Sequence, residues 1–497
     1  MSPSMNDTAT GIPGLDRVLR GGFPPDHVHL IQGPAGSGKT TLALQFLMAG
    51  TRLGEPGLYI GTSETEKEIR EISTSHGWSL DGVTVHHHGP AERAAPETEI
   101  GQTMLLPAEV ELPETMKTLR SLLNELKPRR VVIDSLTEIR VLAAQERWYR
   151  RQLILLKELL HDCTALLTEV LIGDHLAETI AYGVIELDRV SRSYGPDTRR
   201  LRVLKMRGRS FLSGYHDFRI QTGGISLYPR LIAAEHRRRF TPEVARSGLP
   251  ELDALLGGGL DRGTSALFVG PSGAGKSALA TQFVVAAAER AERSAMYVFD
   301  ERLQTLFQRA EGIGLPLESY VEAGLVDVRQ IDPAEVTPGE FGELVRHAVT
   351  ENDVRMVVLD SLNGFIYAMP EERYIGLHLH ELASYLNQQA VTSILVMTES
   401  SSHQLRGDVP VEASFFSDAV IWLRQFEFQG AVHKAIAVHK RRAGPHEPTI
   451  RELKFSSDGL HVGLPLTQFH GILTGTPRFV GASLDERDES GEHAERR

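Results

Sequence analysis

Two segments of the chain carry the residue types that bind phosphate groups, 33–40 (GPAGSGKT) and 270–277 (GPSGAGKS). Each matches the pattern G-x-x-x-x-G-K-[ST], follows a short apolar run and leads into a segment of helical composition. In such a loop the glycines let backbone N–H groups approach a β-phosphate, and the helix N-terminus adds a favourable field. The lysine contacts the β- and γ-phosphates and the hydroxyl ligates Mg²⁺. The sequence therefore predicts two sites for ATP and Mg²⁺.

The predicted nucleotide-binding residues are those of the two loops and the residue that follows each. They are Gly33, Gly36, Ser37, Gly38, Lys39, Thr40 and Thr41 in the first loop, and Gly270, Gly273, Ala274, Gly275, Lys276, Ser277 and Ala278 in the second.

An apolar strand that ends in aspartate follows each loop by about 90 residues, VVID at 131–134 and MVVLD at 356–360. This is the Walker-B pattern, in which the carboxylate holds Mg²⁺, usually through its water. The predicted metal ligands are therefore Thr40 and Asp134 at the first site, and Ser277 and Asp360 at the second.

A further strand in each half ends in acidic residues, Glu64 in the first and Asp300-Glu301 in the second. Hydrolysis needs a carboxylate near the γ-phosphate to orient the attacking water. We interpret these three acids as catalytic. The alternative is that they are exposed acids that favour the start of the next helix.

Pairs of cations follow late in each half, Lys205 with Arg207 and Lys440 with Arg442. In a strand, residues two apart lie on one face. Such a pair suits either an arginine finger that reaches a neighbouring subunit's γ-phosphate or a charged edge strand that resists aggregation. Spacing alone does not separate these interpretations. The pairs Thr168-Glu169 and Thr398-Glu399, which end a later strand, leave a γ-phosphate sensor and a simple strand end as alternatives.

The offset of 237 residues that relates Lys39 to Lys276 also relates Asp16 to Asp253 and Glu64 to Glu301. This constant register indicates a duplicated domain. We predict an α/β protein with two tandem P-loop domains, each a mainly parallel twisted sheet flanked by helices. The domains are placed at 1–235 and 248–465, with a linker at 236–247 and a C-terminal segment and charged disordered tail at 466–497.

Composition narrows the classes of protein. The 497-residue chain has 41% hydrophobic and 24% charged residues, as expected for soluble domains with full cores. Its net charge of −12 argues against standing affinity for nucleic acid. A single cysteine, Cys163, excludes a disulfide framework within one chain. With neither a signal peptide nor an apolar run that could span a membrane, we expect a cytoplasmic protein without membrane association.

Taken together, these motifs resemble those of the KaiC family of RecA-like ATPases, and the resemblance covers nearly the whole chain. Besides the two phosphate loops, Asp134 and Asp360, it rests on Gly14-Leu15-Asp16 with Gly21-Gly22, Tyr182-Gly183-Val184, Lys205-Met206-Arg207-Gly208, Lys440-Arg441-Arg442 and the stretch 469–477 (FHGILTGTP). The resemblance implies two RecA-like domains in a homo-hexamer of stacked rings. It also implies that ATP lies between adjacent subunits and that the Lys/Arg pairs act across that interface.

Members of this family hydrolyse ATP in the first domain and autophosphorylate in the second, on an adjacent serine and threonine. Ser414, 26 residues before Lys440, stands at the position of that serine, whereas Phe415 replaces the threonine. The resemblance therefore implies at most one phosphosite. The family also has paired glutamates after the second strand, of which the first domain keeps only Glu64, after Ser63. Slow or absent hydrolysis in the first domain thus stays open.

The residues and the resemblance together predict an ATP hydrolase, with possible serine autophosphorylation, in a signalling or timing role. One alternative is a RecA- or RadA-like DNA-dependent ATPase, which the acidic net charge and the lack of a cysteine zinc ribbon disfavour. Another is a nucleotide-locked hexameric scaffold with negligible turnover. Protein partners and the biological pathway are not encoded in these motifs.

Overall fold

The computed structural model describes residues 7–87, 107–143, 145–170, 175–192, 195–238, 240–332, 334–367, 375–399 and 417–480. The chain divides after Arg230 into two compact units. Ser414 and the end of the predicted tail, 481–497, lie outside the described residues. Within the described parts of the chain, no helix is long and apolar enough to cross a membrane.

The first unit alternates strands and helices. Its helices are α1 (Pro13–Leu19), α2 (Lys39–Thr51), α3 (Glu66–Ser75), α4 (Pro107–Leu126), α5 (Leu136–Ala143), α6 (Glu146–Leu159) and α7 (Leu176–Ile180). Its strands are β1 (Val28–Gly33), β2 (Gly57–Gly61), β3 (Val83–His87), β4 (Arg130–Asp134), β5 (Thr164–Val170), β6 (Gly183–Val190), β7 (Thr198–Met206), β8 (His216–Gln221) and β9 (Gly224–Tyr228).

The strands of the first unit form one sheet in the order β3-β2-β4-β5-β1-β6-β7-β8-β9. In this spatial order the first six strands, β3, β2, β4, β5, β1 and β6, are parallel. The strands β7, β8 and β9 continue the sheet as antiparallel neighbours. Both faces of the parallel part are covered, because successive residues of the buried strand β1 enter different cores. Leu30 packs into the cluster that contains α6, and Ile31 into the cluster that contains α2.

The second unit has the following elements. Its helices are a 3₁₀ turn (Ala233–His236), α8 (Pro250–Leu255), α9 (Lys276–Glu289), α10 (Leu303–Gly312), α11 (Leu317–Glu322), α12 (Pro338–Glu351), α13 (Leu362–Tyr367) and α14 (Ile375–Gln388). Its strands are β10 (Val244–Ala245), β11 (Leu260–Asp261), β12 (Ser265–Gly270), β13 (Ser294–Val298), β14 (Val326–Gln330), β15 (Met356–Asp360), β16 (Thr392–Thr398), β17 (Ala419–Phe428), β18 (Ala431–Arg441), β19 (Arg451–Ser456), β20 (Gly459–Pro465), β21 (Phe469–His470) and β22 (Arg478–Phe479).

The main sheet of the second unit repeats the topology of the first, in the order β14-β13-β15-β16-β12-β17-β18-β19-β20. Its first six strands in this order, β14, β13, β15, β16, β12 and β17, are likewise parallel. The strands β18, β19 and β20 are antiparallel to their neighbours. The predicted fold class, two tandem RecA-like domains with mainly parallel sheets, is confirmed.

The segments that flank the second sheet belong to the same unit. Ala233 is buried in its core, and the backbone N–H of Arg238 donates to Gln388 O at 3.1 Å. The division after Arg230 therefore lies a few residues before the start of the predicted linker. At the other end, β21 pairs with β22, and the ring of Phe469 packs against Phe426 at 5.1 Å between centroids.

Candidate nucleotide sites

The first phosphate loop joins β1 to α2 at the carboxyl edge of the parallel strands. Gly38 has φ 105°, a left-handed conformation that glycine adopts without strain, and α2 begins at the next residue. Lys39 Nζ donates to the backbone oxygens of Gly33 and Pro34, both at 2.9 Å. The loop therefore curls around the ammonium group, with the first turn of α2 (Lys39, Thr40 and Thr41) behind it.

The second loop has the same construction between β12 and α9. Lys276 Nζ donates to Gly270 O at 2.9 Å and to Pro271 O at 2.7 Å. Burial lowers the pKa of both lysines, and that of Lys276 falls to about 8. Nearby carboxylates oppose this shift, Asp134 and Glu64 at the first site, and Asp360 and Glu399 at the second.

At the first site the Walker-B acid Asp134 accepts hydrogen bonds from three hydroxyl groups. Thr40 Oγ1 lies 2.7 Å and Tyr59 OH 2.9 Å from its Oδ2, and Thr168 Oγ1 donates to its Oδ1. The sheet order explains this set, because β4 carries Asp134 between β2, which carries Tyr59, and β5, which carries Thr168. The structure thus brings the loop and the acid together. The sequence did not single out Tyr59, and it left Thr168 as either a γ-phosphate sensor or a strand end, without its contact to Asp134.

At the second site Asp360 is more weakly partnered. It receives a hydrogen bond from the side chain of Ser277, while its Oδ2 is buried and has no hydrogen-bond partner among the described residues. Burial raises the pKa of this carboxyl group above its ordinary range. Met296 and Val396 occupy the strand positions that correspond to Tyr59 and Thr168, so neither can donate a hydrogen bond.

Glu64 lies just beyond β2, close to the loop of the first site. Its pKa is raised by burial and then by the charge of Asp134, while Lys39 acts in the opposite direction. Its Oε2 is buried and has no hydrogen-bond partner among the described residues. The neighbouring backbone is fixed, since His87 Nδ1 lies 2.8 Å from Glu64 O. A half-buried carboxylate with an oxygen that no described residue contacts by a hydrogen bond can accept a proton.

The corresponding acids of the second site have different partners. Asp300 Oδ2 accepts from Ser361 Oγ at 2.5 Å, and Glu301 forms an ion pair with Arg309 at 3.0 Å. Burial raises the pKa of Glu301, and the ion pair lowers it by a smaller amount. Both acids line a cavity of ≈ 450 Å³ together with Lys276, Ser277 and Asp360. The cavity also borders Lys434, whose Nζ lies 4.6 Å from the centre of the Phe455 ring.

The late cation pairs lie next to the parallel part of each sheet. Lys205 Nζ donates to Glu178 O and Arg207 Nη2 to Thr179 O at 3.0 Å, so both cations contact carbonyl groups of α7. Burial lowers the pKa of Lys205, and the charge of Arg207 adds to this.

In the second unit Lys440 Nζ donates to Ser417 O at 3.0 Å, and Arg442 lies 3.5 Å from Asp418. Contacts with local carbonyl and carboxylate groups thus hold all four cations.

The strand-terminal glutamates form buried ion pairs. Glu169 binds Arg140 at 2.6 Å and accepts from Tyr149 OH at 3.0 Å, and Glu399 pairs with Arg424. Neither arginine was singled out in the sequence. The hydrogen bond of Thr168 to Asp134 distinguishes this threonine from Thr398, whose backbone bonds to the side chain of Asn363.

Two pairs of oxygen donors could hold Mg²⁺, Thr40 with Asp134 and Ser277 with Asp360. A hydroxyl and a carboxylate suit a cation that prefers oxygen ligands and retains several waters. The buried, unpartnered Oδ2 of Asp360 is a further sign that this site fits a cation. Among the described residues, no cluster of three or more histidine, cysteine or acidic side chains forms a separate metal centre.

Comparison with known proteins agrees with this geometry. A family model described as "ATPase: KaiC" matches residues 8–232 and 245–466. The chain is 29% identical over 494 residues to the circadian clock protein KaiC3 of Synechocystis sp., with 96% of each chain covered. It is 27% identical to the circadian clock oscillator protein KaiC of Acaryochloris marina and 26% identical to that of Synechococcus elongatus. These matches cover 96% and 97% of this chain, and 92% and 93% of the relatives. With two phosphate loops in two RecA-like units and a family match over both, the chain belongs to the KaiC family of ATPases.

Proposed function

We propose that this protein hydrolyses ATP at sites formed between adjacent subunits of a homo-hexamer, and that it can transfer phosphate to its own Ser414. The observation that carries the hydrolysis proposal is the state of Glu64. Its carboxylate has a raised pKa and a buried oxygen that no described residue contacts by a hydrogen bond, and it lies within the field of Lys39 and Asp134. These are the properties of a general base for the attacking water.

The phosphate loops would bind the triphosphate, with Lys39 and Lys276 on the β- and γ-phosphates. Thr40 with Asp134 and Ser277 with Asp360 would hold Mg²⁺, which when bound neutralises charge on the phosphates. Asp300 and Glu301 would take the role of Glu64 at the second site. Glu301 resembles Glu64 more closely, because burial raises its pKa despite the ion pair with Arg309. Asp300 Oδ2 is already engaged by the hydroxyl of Ser361 at 2.5 Å.

The cation pairs support the inter-subunit part of the proposal. Lys205 and Arg207 lie side by side against the C-terminal carbonyls of α7, which are weak partners for two full positive charges. A γ-phosphate of a neighbouring subunit would be a stronger partner. Lys440 and Arg442 would act in the same way on the second ring.

Labelled ATP tests these activities together. Purified protein is incubated with γ-labelled ATP and Mg²⁺, and free phosphate and protein-bound label are followed in the same samples. Phosphate release that falls in Lys39→Ala and in Lys276→Ala, and is lost in the double variant, supports hydrolysis at both loops. Label that disappears in Ser414→Ala supports the autokinase, with Ser417→Ala as the nearby control. Bound ATP with neither product would instead favour the scaffold.

A further inference from the structure

The two Walker-B acids differ in the number of hydrogen bonds that their carboxylates already accept. A carboxylate has roughly four acceptor positions. Asp134 uses three of them for the hydroxyls of Thr40, Tyr59 and Thr168. Asp360 receives one hydroxyl, that of Ser277, among the described residues, and its Oδ2 is left buried and unpartnered.

This difference follows from two substitutions between the duplicated sheets. Tyr59 is the third residue of β2, and the third residue of the corresponding strand β13 is Met296. Thr168 is the fifth residue of β5, and the fifth residue of β16 is Val396, which lies opposite Asp360 in the strand pairing. All four side chains are buried, so the difference between the two sites lies in the interior of each sheet.

We propose that Tyr59 and Thr168 are positioning residues that lower the affinity of the first site for a divalent cation relative to the second. Each acceptor position that a protein hydroxyl occupies is lost to the cation and its waters. The same hydroxyls draw negative charge from the carboxylate. At the second site no described residue donates to the buried Oδ2 of Asp360, so this oxygen keeps an acceptor position that a cation or its water can use.

The consequence is two nucleotide sites with separate cation requirements in one chain. At limiting concentration the cation fills the second site first, and the first site holds its acid in place without it. This inference rests on the proposed binding of ATP at both loops. It does not require that either site turns ATP over.

Mn²⁺ binding measured by electron paramagnetic resonance tests the proposal without an activity assay. The full chain is loaded with the non-hydrolysable analogue AMP-PNP, freed of excess nucleotide and titrated with Mn²⁺. Lys276→Ala restricts the measurement to the first site and Lys39→Ala to the second. We expect the second site to bind Mn²⁺ on the order of tenfold more tightly.

Substitutions of similar shape then test whether these hydroxyl groups set the Mn²⁺ affinity of each site. Tyr59→Phe and Thr168→Val should each tighten Mn²⁺ binding at the first site severalfold, and Val396→Thr should weaken it at the second by a similar factor. Tyr297→Phe is the matched control, because Tyr297 is also buried on a central strand but its hydroxyl does not contact the acid. It should leave the affinity unchanged. Thermal unfolding of each variant confirms that the fold is retained.

The outcomes separate this inference from the proposed function. Equal Mn²⁺ affinities at the two sites, or variants that leave the affinities unchanged while AMP-PNP stays bound, would overturn the inference alone. Failure of the wild-type chain to retain AMP-PNP at either loop would overturn the proposed function itself. The expected order of affinities with no ATP turnover would support the inference and refute hydrolysis.

Discussion

Glu64 is the residue on which turnover at the first site depends in the proposed function. Replacing it by Gln keeps the volume and removes the proton acceptor, so hydrolysis at the first site should fall by roughly 10²- to 10⁴-fold. ATP binding should persist, because Lys39 and the loop are unchanged. Phosphate release in the Lys276→Ala background measures the effect. Glu66→Gln, which affects only an exposed ion pair with Arg70, is the control. Undiminished release in Glu64→Gln would remove Glu64 from the mechanism.

Because the pKa of Glu64 is raised, both the rate of hydrolysis at the first site and the stability of the fold should depend on pH in a defined way. A general base must be ionised, so the acid limb of first-site hydrolysis should lie above the ordinary glutamate pKa of 4.5. The folded chain also binds this proton more tightly than the unfolded chain does. The contribution of Glu64 to the free energy of unfolding therefore decreases as pH rises from 4.5 through the raised pKa. Rate profiles and urea unfolding of the wild type and Glu64→Gln across this range check both expectations.

At the scale of elements, the cation pair lies at the end of β7, and its place in the sheet decides how it can act. Arg207→Ala should slow first-ring hydrolysis by roughly 10³-fold, the effect of losing an arginine finger. Circular dichroism should show an unchanged fold, because Arg207 is exposed. Arg200→Ala, a change on the same strand, should have little effect on turnover.

A mixing experiment distinguishes action across an interface from action within one subunit. Arg207→Ala subunits keep Lys39, and Lys39→Ala subunits keep Arg207, so some interfaces in a mixed assembly are complete. Both parents carry Lys276→Ala, so that only the first site is measured, and each is inactive alone. The expected result is partial recovery of phosphate release in the mixture. Mixed assemblies as inactive as their parents would mean that Arg207 serves its own subunit.

The sequence predicts features that depend on residues close together in the chain, and it does not predict contacts between distant residues. The loops, both Walker-B strands and the duplication follow from local motifs and a constant offset, and the sheets have the predicted class. The donors to Asp134 could not be predicted in this way. Tyr59 precedes Asp134 by 75 residues and Thr168 follows it by 34. They meet because the sheet order places β4 between β2 and β5. A buried polar residue in an apolar strand was the available signal.

At the scale of the whole molecule, the net charge and the sheet together bear on the alternative of a DNA-dependent ATPase. The strand β7 is rich in arginine and would be the natural surface for a phosphate backbone. Two of its three arginines are instead paired with acids of the adjacent strand β6, Arg200 with Asp188 at 2.9 Å and Arg202 with Glu186 at 2.8 Å. The pairs face each other directly in the strand register. They cancel locally the charge that nucleic acid would require.

Single-stranded DNA should therefore leave ATP turnover unchanged and bind weakly at physiological salt. If the acids of β6 are the reason, the double variant Glu186→Gln, Asp188→Asn frees two arginines and should raise the affinity measured by fluorescence anisotropy. The slope of log affinity against log salt should steepen by about 0.7 for each further phosphate that the freed arginines neutralise. Glu66→Gln, Glu71→Gln, which removes two acids from α3, controls for net charge. If DNA instead raises wild-type turnover severalfold and salt removes this effect, the DNA-dependent ATPase is favoured. The ion pairs of β7 would then not prevent DNA binding.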